Sequence, residues 1–245
     1  MQDLLGNALR DYYYGKASED LLTETSISEE DIMHLSYLFR SYAEMPSIEQ
    51  KAMQLAKGKV LDVGCGAGSH SLYLQQRGLE VHAIDTSEGA VEVAKLRGVR
   101  HTQQVDILHY PAIVPSEENK FDTILLLMNG TGIFQKLDKT DHYLQHLKSL
   151  LSNGGQILID SSDLQYMYDQ TEEGGIIVPA DHYYGELDFV MKYKGVVSEP
   201  FPWLYIDEKR FATLCRKNGF HCEIVARGEN FDYLAQLKIA SDSPA

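Results

Sequence analysis

One stretch constrains the fold more than any other: Val60-Leu-Asp-Val-Gly-Cys-Gly-Ala-Gly-Ser-His70. An apolar, β-branched run ends in three glycines at alternate positions, and a helix-like segment follows from Ser69. Glycines at 64, 66 and 68 take up backbone angles that cost other residues ~1–2 kcal/mol, and they let a ligand approach the main chain closely. A strand, a glycine loop and a helix in that order open a parallel α/β sheet with its ligand crevice at the carboxyl ends of the strands.

The downstream pattern agrees. Strand-like runs at Val60–Val63, Val81–Ile84, Thr102–Val105, Thr123–Leu127 and Gln156–Ile159 alternate with helix-like stretches at Ser69–Gln76, Ser87–Leu96 and Lys139–Leu151. Apolar strands interleaved with helices predict a parallel sheet covered on both faces. At the C-terminus, Glu208–Asn218 reads as a helix and Phe220–Ala226 and Phe231–Ile239 as strands. Only Arg227–Asn230 separates those strands, too little for a parallel crossover, so they are expected to be antiparallel neighbours.

Two segments depart from this alternation. Residues 1–57 read as a helical cap, with Ser28 as an N-cap and Ile32, Leu35, Leu38, Phe39 and Tyr42 at helical spacing until Pro46; Ser47–Lys57 supplies a further short helix. Residues 161–207 read as a small antiparallel β insert carrying nine of the 24 aromatics, positioned over the crevice. The expected domain division is therefore 1–57 for the cap and 58–245 for the α/β domain, with its insert at 161–207.

Charge narrows the partners. The net charge is −14 over 245 residues, and half of the excess lies in residues 1–50, which disfavours nucleic acid and anionic membrane surfaces. The longest strongly apolar run, Ile124–Met128, is far too short for a membrane span. Met1–Lys16 lacks a basic leader ahead of an apolar core, and three cysteines show no CxxC spacing. A reduced, cytoplasmic setting and a small-molecule partner are expected; the oligomeric state is left open.

Three acids sit where such a sheet presents ligand groups: Asp62 two positions before Gly64, Asp85 at the end of the second α/β strand, and Asp106, followed by Ile107, at the end of the third. With Asp62-Val-Gly-Cys-Gly-Ala-Gly68, Phe121-Asp122, and Leu151-Ser-Asn-Gly-Gly-Gln-Ile-Leu-Ile159, the chain resembles the class I S-adenosylmethionine-dependent methyltransferases over residues 59–160, and more loosely at the terminal strand pair. Ser152-Asn153 replaces the family's Lys-Pro. The resemblance implies a Rossmann-like seven-stranded sheet with helices on both faces, order 3-2-1-4-5-7-6, and only the last strand antiparallel. It implies S-adenosyl-L-methionine as cofactor, with Asp62, Gly64, Cys65, Gly66 and Gly68 at the methionine moiety, Asp85 and Thr86 at the ribose, and Asp106 and Ile107 at the adenine. It also places Met128 near the methionine amine and Arg40 near its carboxylate; on a helical wheel Arg40 equally suits a solvated position.

The acceptor side is less legible. Asn129, Tyr14, Tyr184 and Trp203 are the candidate substrate contacts, each with a purely structural alternative. No catalytic nucleophile or base stands out, though Asp160, Asp163, His182 and Glu186 lie in the roof region. His142 and His146 are one helical turn apart on what reads as a solvated face, and no metal site is expected. The expected reaction is in-line transfer of a methyl group to a nitrogen or oxygen of a small molecule. The alternatives are a nicotinamide-dependent oxidoreductase, which Ser69 after Gly68 disfavours, and a non-catalytic binder of the same cofactor.

Overall fold

The computed structural model describes residues 2–17, 19–110, 120–171 and 175–240. In chain order these form α1 (Leu4–Tyr13), β1 (Leu21–Thr25), β2 (Ser28–Met33), α2 (Leu35–Leu38), α3 (Ser47–Leu55), β3 (Lys59–Val63), α4 (Ser69–Gln76), β4 (Glu80–Asp85), α5 (Glu88–Leu96), β5 (His101–Gln104), β6 (Phe121–Leu126), α6 (Thr140–Leu150), β7 (Leu151–Ser162), β8 (Glu186–Tyr193), β9 (Val196–Val197), β10 (Phe201–Leu204), α7 (Glu208–Lys217), β11 (Phe220–Arg227) and β12 (Asp232–Ile239).

Seven strands make one sheet in the order β11-β12-β7-β6-β3-β4-β5. Counting only its own strands, that is the expected 3-2-1-4-5-7-6. β3, β4, β5, β6 and β7 are parallel, while β12 runs antiparallel to both β7 and β11. Alternate residues of each strand feed opposite faces, and on the central strands β3, β6 and β7 both faces are largely buried, while the edge strands β5 and β11 are partly exposed. Leu61, Ile84, Leu126 and Ile159 pack with Tyr143, Leu144 and Leu147 of α6 and Phe211 of α7. Val60, Val81, Leu125 and Leu158 pack with Ile48, Ala52 and Met53 of α3 and with Leu74 of α4.

The cap differs from its expectation. Ser28–Met33 is a strand, not the first turns of a helix, and the stretch up to Pro46 is helical only at Leu35–Leu38 and in a 3-10 turn at Tyr42–Glu44. The Ser28 hydroxyl caps nothing; it lies 2.7 Å from the Thr25 hydroxyl across a hairpin turn. The override is tertiary: β1 pairs antiparallel with β2 on one side and with β8 on the other, Leu22 opposite Lys192 and Thr25 opposite Phe189. Lys192 then bridges Glu24 and Glu30 at 2.7 and 2.9 Å. Strands from 1–57 and from 161–207 thus share one sheet of order β10-β8-β1-β2, with β9 on β8.

Candidate functional site

The glycine loop leaves β3 in a fixed shape. The Gly64 and Cys65 amides both donate to the Ile84 carbonyl, at 2.8 and 3.0 Å, and the Gly66 amide donates to Asp85 Oδ2 at 2.9 Å. Gly68 has φ +83° at the start of α4, and a Cβ there would lie 2.8 Å from Val99. Gly66, at φ +51°, is different: a Cβ on it would meet nothing within 4 Å. The loop therefore presents its backbone to open space at Gly66 while Gly68 is pressed onto its neighbours.

The three acids sit in distinct settings. Asp62 lies behind the loop, 2% exposed, and accepts from the Ser71 hydroxyl at 2.5 Å; burial raises its pKa. Asp85 also accepts from the Ser87 amide through Oδ1 at 2.9 Å, and burial raises its pKa against those two amide donors. Thr86 beside it is exposed, its carbonyl held by Gln104. Asp106 caps a short turn through the Leu108 amide at 2.8 Å, with Ile107 buried behind it. His146 of α6 faces the backbone of Ile107 and Tyr110. Its Nε2 is buried without a hydrogen-bond partner among the described residues, and burial lowers its pKa. The solvated-face expectation holds for the exposed His142 and fails for His146, because the helix turns that ring under the loop after β5.

After β6 the chain makes a left-handed turn at Met128 and Asn129, φ 67° and 60°, a conformation unusual outside glycine. Asp160, at the end of β7, holds it: its carboxylate accepts from the Met128, Asn129 and Gly130 amides at 3.1, 3.0 and 2.7 Å. Burial pushes Asp160 up to about 6 despite those donors. With three amides on two oxygens, the ionised Asp160 anchors the turn. The Asn129 side chain is also engaged, donating to the Leu204 carbonyl at 3.3 Å and accepting from Ser161 Oγ at 3.2 Å. It ties the turn to the roof and does not hang free toward an acceptor.

Arg40 is buried, not solvated, at 5% exposure. Its guanidinium lies 4.0 Å over the Tyr37 ring, donates to the Tyr37 carbonyl at 2.6 Å and pairs through Nη2 with Glu49 of α3. His70, at the head of α4, meets the same Glu49 oxygen at 2.8 Å. Burial pushes Glu49 up, but His70 and Arg40 outweigh it and hold the carboxylate below its ordinary range. Arg40 Nε is buried with no partner among the described residues, a donor left over in the cluster that Glu49 makes with the head of α4. Sequence reasoning missed Glu49 and His70; the available signal was a carboxylate on the apolar face of α3, beside Ile48 and one turn from Ala52 and Met53.

The remaining candidates divide. Trp203 stands over the turn: a Cβ on Gly132 would lie 2.0 Å from its ring. Tyr205 lies nearby, and burial, with the charge of Asp160 contributing, pushes its phenol up to about 12. Tyr184 is at the foot of the insert, donating to Asp163 at 2.9 Å and receiving from Gln165. Tyr14 does not join the site. It is 53% exposed at the end of α1, edge-on to Tyr13 and beneath Lys16, while Tyr12, also exposed, packs its ring against Phe39. Glu186 accepts from the Leu137 amide at 2.8 Å, and His182 is exposed beside Asp181. Among the described residues no cluster of metal-ligating side chains occurs, and no helix is long and apolar enough to cross a membrane.

Comparison with known proteins adds an independent line. Residues 60–155 match the family model for a methyltransferase domain. Over 98% of this chain and 95% of the other, the structure is similar to a SAM-dependent methyltransferase from Bacteroides fragilis in complex with S-adenosyl-L-homocysteine, at 41% identity and TM-score 0.88. A ubiquinone biosynthesis O-methyltransferase from Xanthomonas euvesicatoria is 28% identical over 111 residues, 44% of this chain and 45% of that protein; the chain thus matches less than half the length of that curated relative. The sugar N-methyltransferase KedS8 from Streptoalloteichus, at 14% identity and TM-score 0.58 over 89% of this chain and 98% of that one, shares the fold.

Proposed function

Since this chain belongs to the S-adenosylmethionine-dependent methyltransferases, we propose that it moves the donor's methyl group to an oxygen or nitrogen of a small-molecule acceptor. When bound, S-adenosylmethionine supplies an electrophilic methyl on a sulfonium centre. The observation that carries the reading is the open space over Gly66, whose amide the Asp85 carboxylate holds; the buried Arg40 guanidinium, with its unpartnered Nε, is a further candidate contact. Asp85 keeps a lone pair on each oxygen beyond its two amide donors and suits a ribose diol. Asp106 and Ile107 suit an adenine amine and ring face. Arg40 suits the methionine carboxylate, and the carbonyls of the Met128 turn suit its ammonium. Asp62 and Cys65 brace the loop from behind.

The chain contributes position more than chemistry. Holding the acceptor's lone pair in line with the breaking sulfur–carbon bond lowers the barrier by roughly 7–11 kcal/mol where orientation is complete. The names of the curated relatives favour oxygen as the nucleophile. The acidic balance of the chain argues against nucleic acid as acceptor. Calorimetry with S-adenosylhomocysteine, followed by product turnover on phenols, amines and thiols, tests the reading. Gly66→Val, which fills the open space and strains φ, is expected to abolish donor binding with the far-ultraviolet spectrum unchanged. Unaltered binding in that variant would remove the loop from the donor site.

A further inference from the structure

The sheet β10-β8-β1-β2 is supported at its two ends and unsupported in the middle. At one end Leu21 and Tyr193 are buried with Ala8 of α1 and Leu35 of α2. At the other, Trp203 presses on Gly132, and the Leu204 carbonyl accepts from Thr131 at 2.9 Å. Strand register puts Thr23, Phe189, Met191, Phe201 and Trp203 on the same face as those anchors. All five remain only half-buried. Glu24, Asp188 and Lys192, one position out of phase, carry the charge of the opposite face. On β10, β8 and β1 the inner strip between the supports carries no charged side chain; the exposed Asp31, opposite Thr23 on the edge strand β2, lies at its margin.

We infer that this strip is the wall of an acceptor chamber that takes a flat, uncharged aromatic ring bearing the nucleophilic hydroxyl. The inference rests on the methyl-transfer reading and names its substrate class. Phe189 lies 6.1 Å from Phe201 and 6.1 Å from Trp203, and is near-parallel to Tyr205 at 6.3 Å. As side-by-side neighbours on one sheet face, these rings offer an area for stacking and not a cage around a point charge. Of the carboxylates on this side, Asp160 already accepts from three amides and Asp31 is solvent-exposed on the edge strand, so they give a cationic acceptor little compensation for desolvation. An anionic acceptor fares no better against Thr23, Met191 and the rings.

Trp203 is the chain's single tryptophan, so its fluorescence reports occupancy of the chamber. The experiment titrates 2-naphthol, 2-naphthylmethylammonium and 2-naphthoate with and without saturating S-adenosylhomocysteine, whose own binding is measured by calorimetry. The expected result is saturable quenching by 2-naphthol, with at least tenfold tighter binding than either charged counterpart. Phe189→Glu is expected to weaken 2-naphthol at least tenfold, whereas Val190→Glu, one residue away on the outer face, leaves it within threefold. Retained S-adenosylhomocysteine binding certifies the fold of each variant, and Met191→Glu replaces Phe189→Glu if the latter loses it. A charged probe binding as tightly as 2-naphthol, or inner- and outer-face variants behaving alike, overturns the proposal. Failure of the wild type to bind S-adenosylhomocysteine would remove the donor reading instead, leaving the three-probe comparison to stand alone.

Discussion

Asp85 engages one main-chain amide with each carboxylate oxygen, which fixes the group before any ligand arrives. Asp85→Ala is expected to weaken S-adenosylhomocysteine by one to two decades, about 1.5–3 kcal/mol for a charge-assisted hydrogen bond; equal affinity by calorimetry would dismiss the ribose role. Glu49 is the residue on which Arg40 and His70 converge. Glu49→Gln leaves the Arg40 charge buried and uncompensated, and should cost about 3–5 kcal/mol in urea unfolding. The double replacement Arg40→Met, Glu49→Leu should recover much of that stability without restoring donor affinity, which separates the packing of the pair from its use. Asp160 couples the site to pH. Its folded-state pKa, about 6, lies above the ordinary carboxylate value, so its contribution to stability is fully present below about pH 4 and is lost as pH rises through 6. The turn needs the ionised form to hold three amides, so activity should rise over that same window. A kcat/KM profile flat between pH 5 and 7 would contradict this, as would a wild-type stability advantage over Asp160→Asn that does not shrink with rising pH.

Helix α1 is fastened to α5 at unusually short range. The Asp3 carboxylate accepts from the Gly6 amide of its own helix and from the Gly89 amide and Ser87 hydroxyl of α5, each at 2.9 Å. A Cβ on Gly89 would lie 2.5 Å from the Gly6 backbone. Gly89→Ala should therefore push the helices apart, with a loss of about 1–3 kcal/mol typical of overpacking and a faster amide exchange confined to α1. Unchanged exchange there would refute the contact. None of this was legible in the sequence, because helix propensity favours alanine at position 89 and says nothing of a second helix. The core elements were legible for the opposite reason. Ser69–Gln76 and Glu88–Leu96 begin at turn or cap residues, and the central strands β3 and β6 are largely buried on both faces, so local and tertiary demands agree. Ser28–Met33 misled because the sheet it joins through β1 is completed by β8, some 160 residues away. At the site, Asp85, Asp106 and the glycines follow from strand ends. Glu49 and the binding of Asp160 to the 128–130 turn depend on packing between elements, which no single-segment pattern encodes.

At the scale of the whole molecule, the two binding halves differ in how far along the chain their parts are drawn. The donor-facing loop is closed by Gly66 meeting Asp85, 19 positions on. The acceptor-facing sheet requires β1 to meet β8, with Lys192 reaching Glu24 across 168 positions. Loop-closure entropy and contact order both delay the second encounter. During synthesis, β1 and β2 therefore leave the ribosome with one edge open and wait while the chain adds everything up to residue 193. Until then Glu24 on β1, with Glu29, Glu30 and Asp31 on the adjoining β2, repel another nascent chain and oppose its pairing with the hairpin. The sheet that carries the aromatic wall joins an early strand, β1, to the late strands β8 and β10 that bear the rings, so a fold able to grip its donor precedes one able to choose its acceptor.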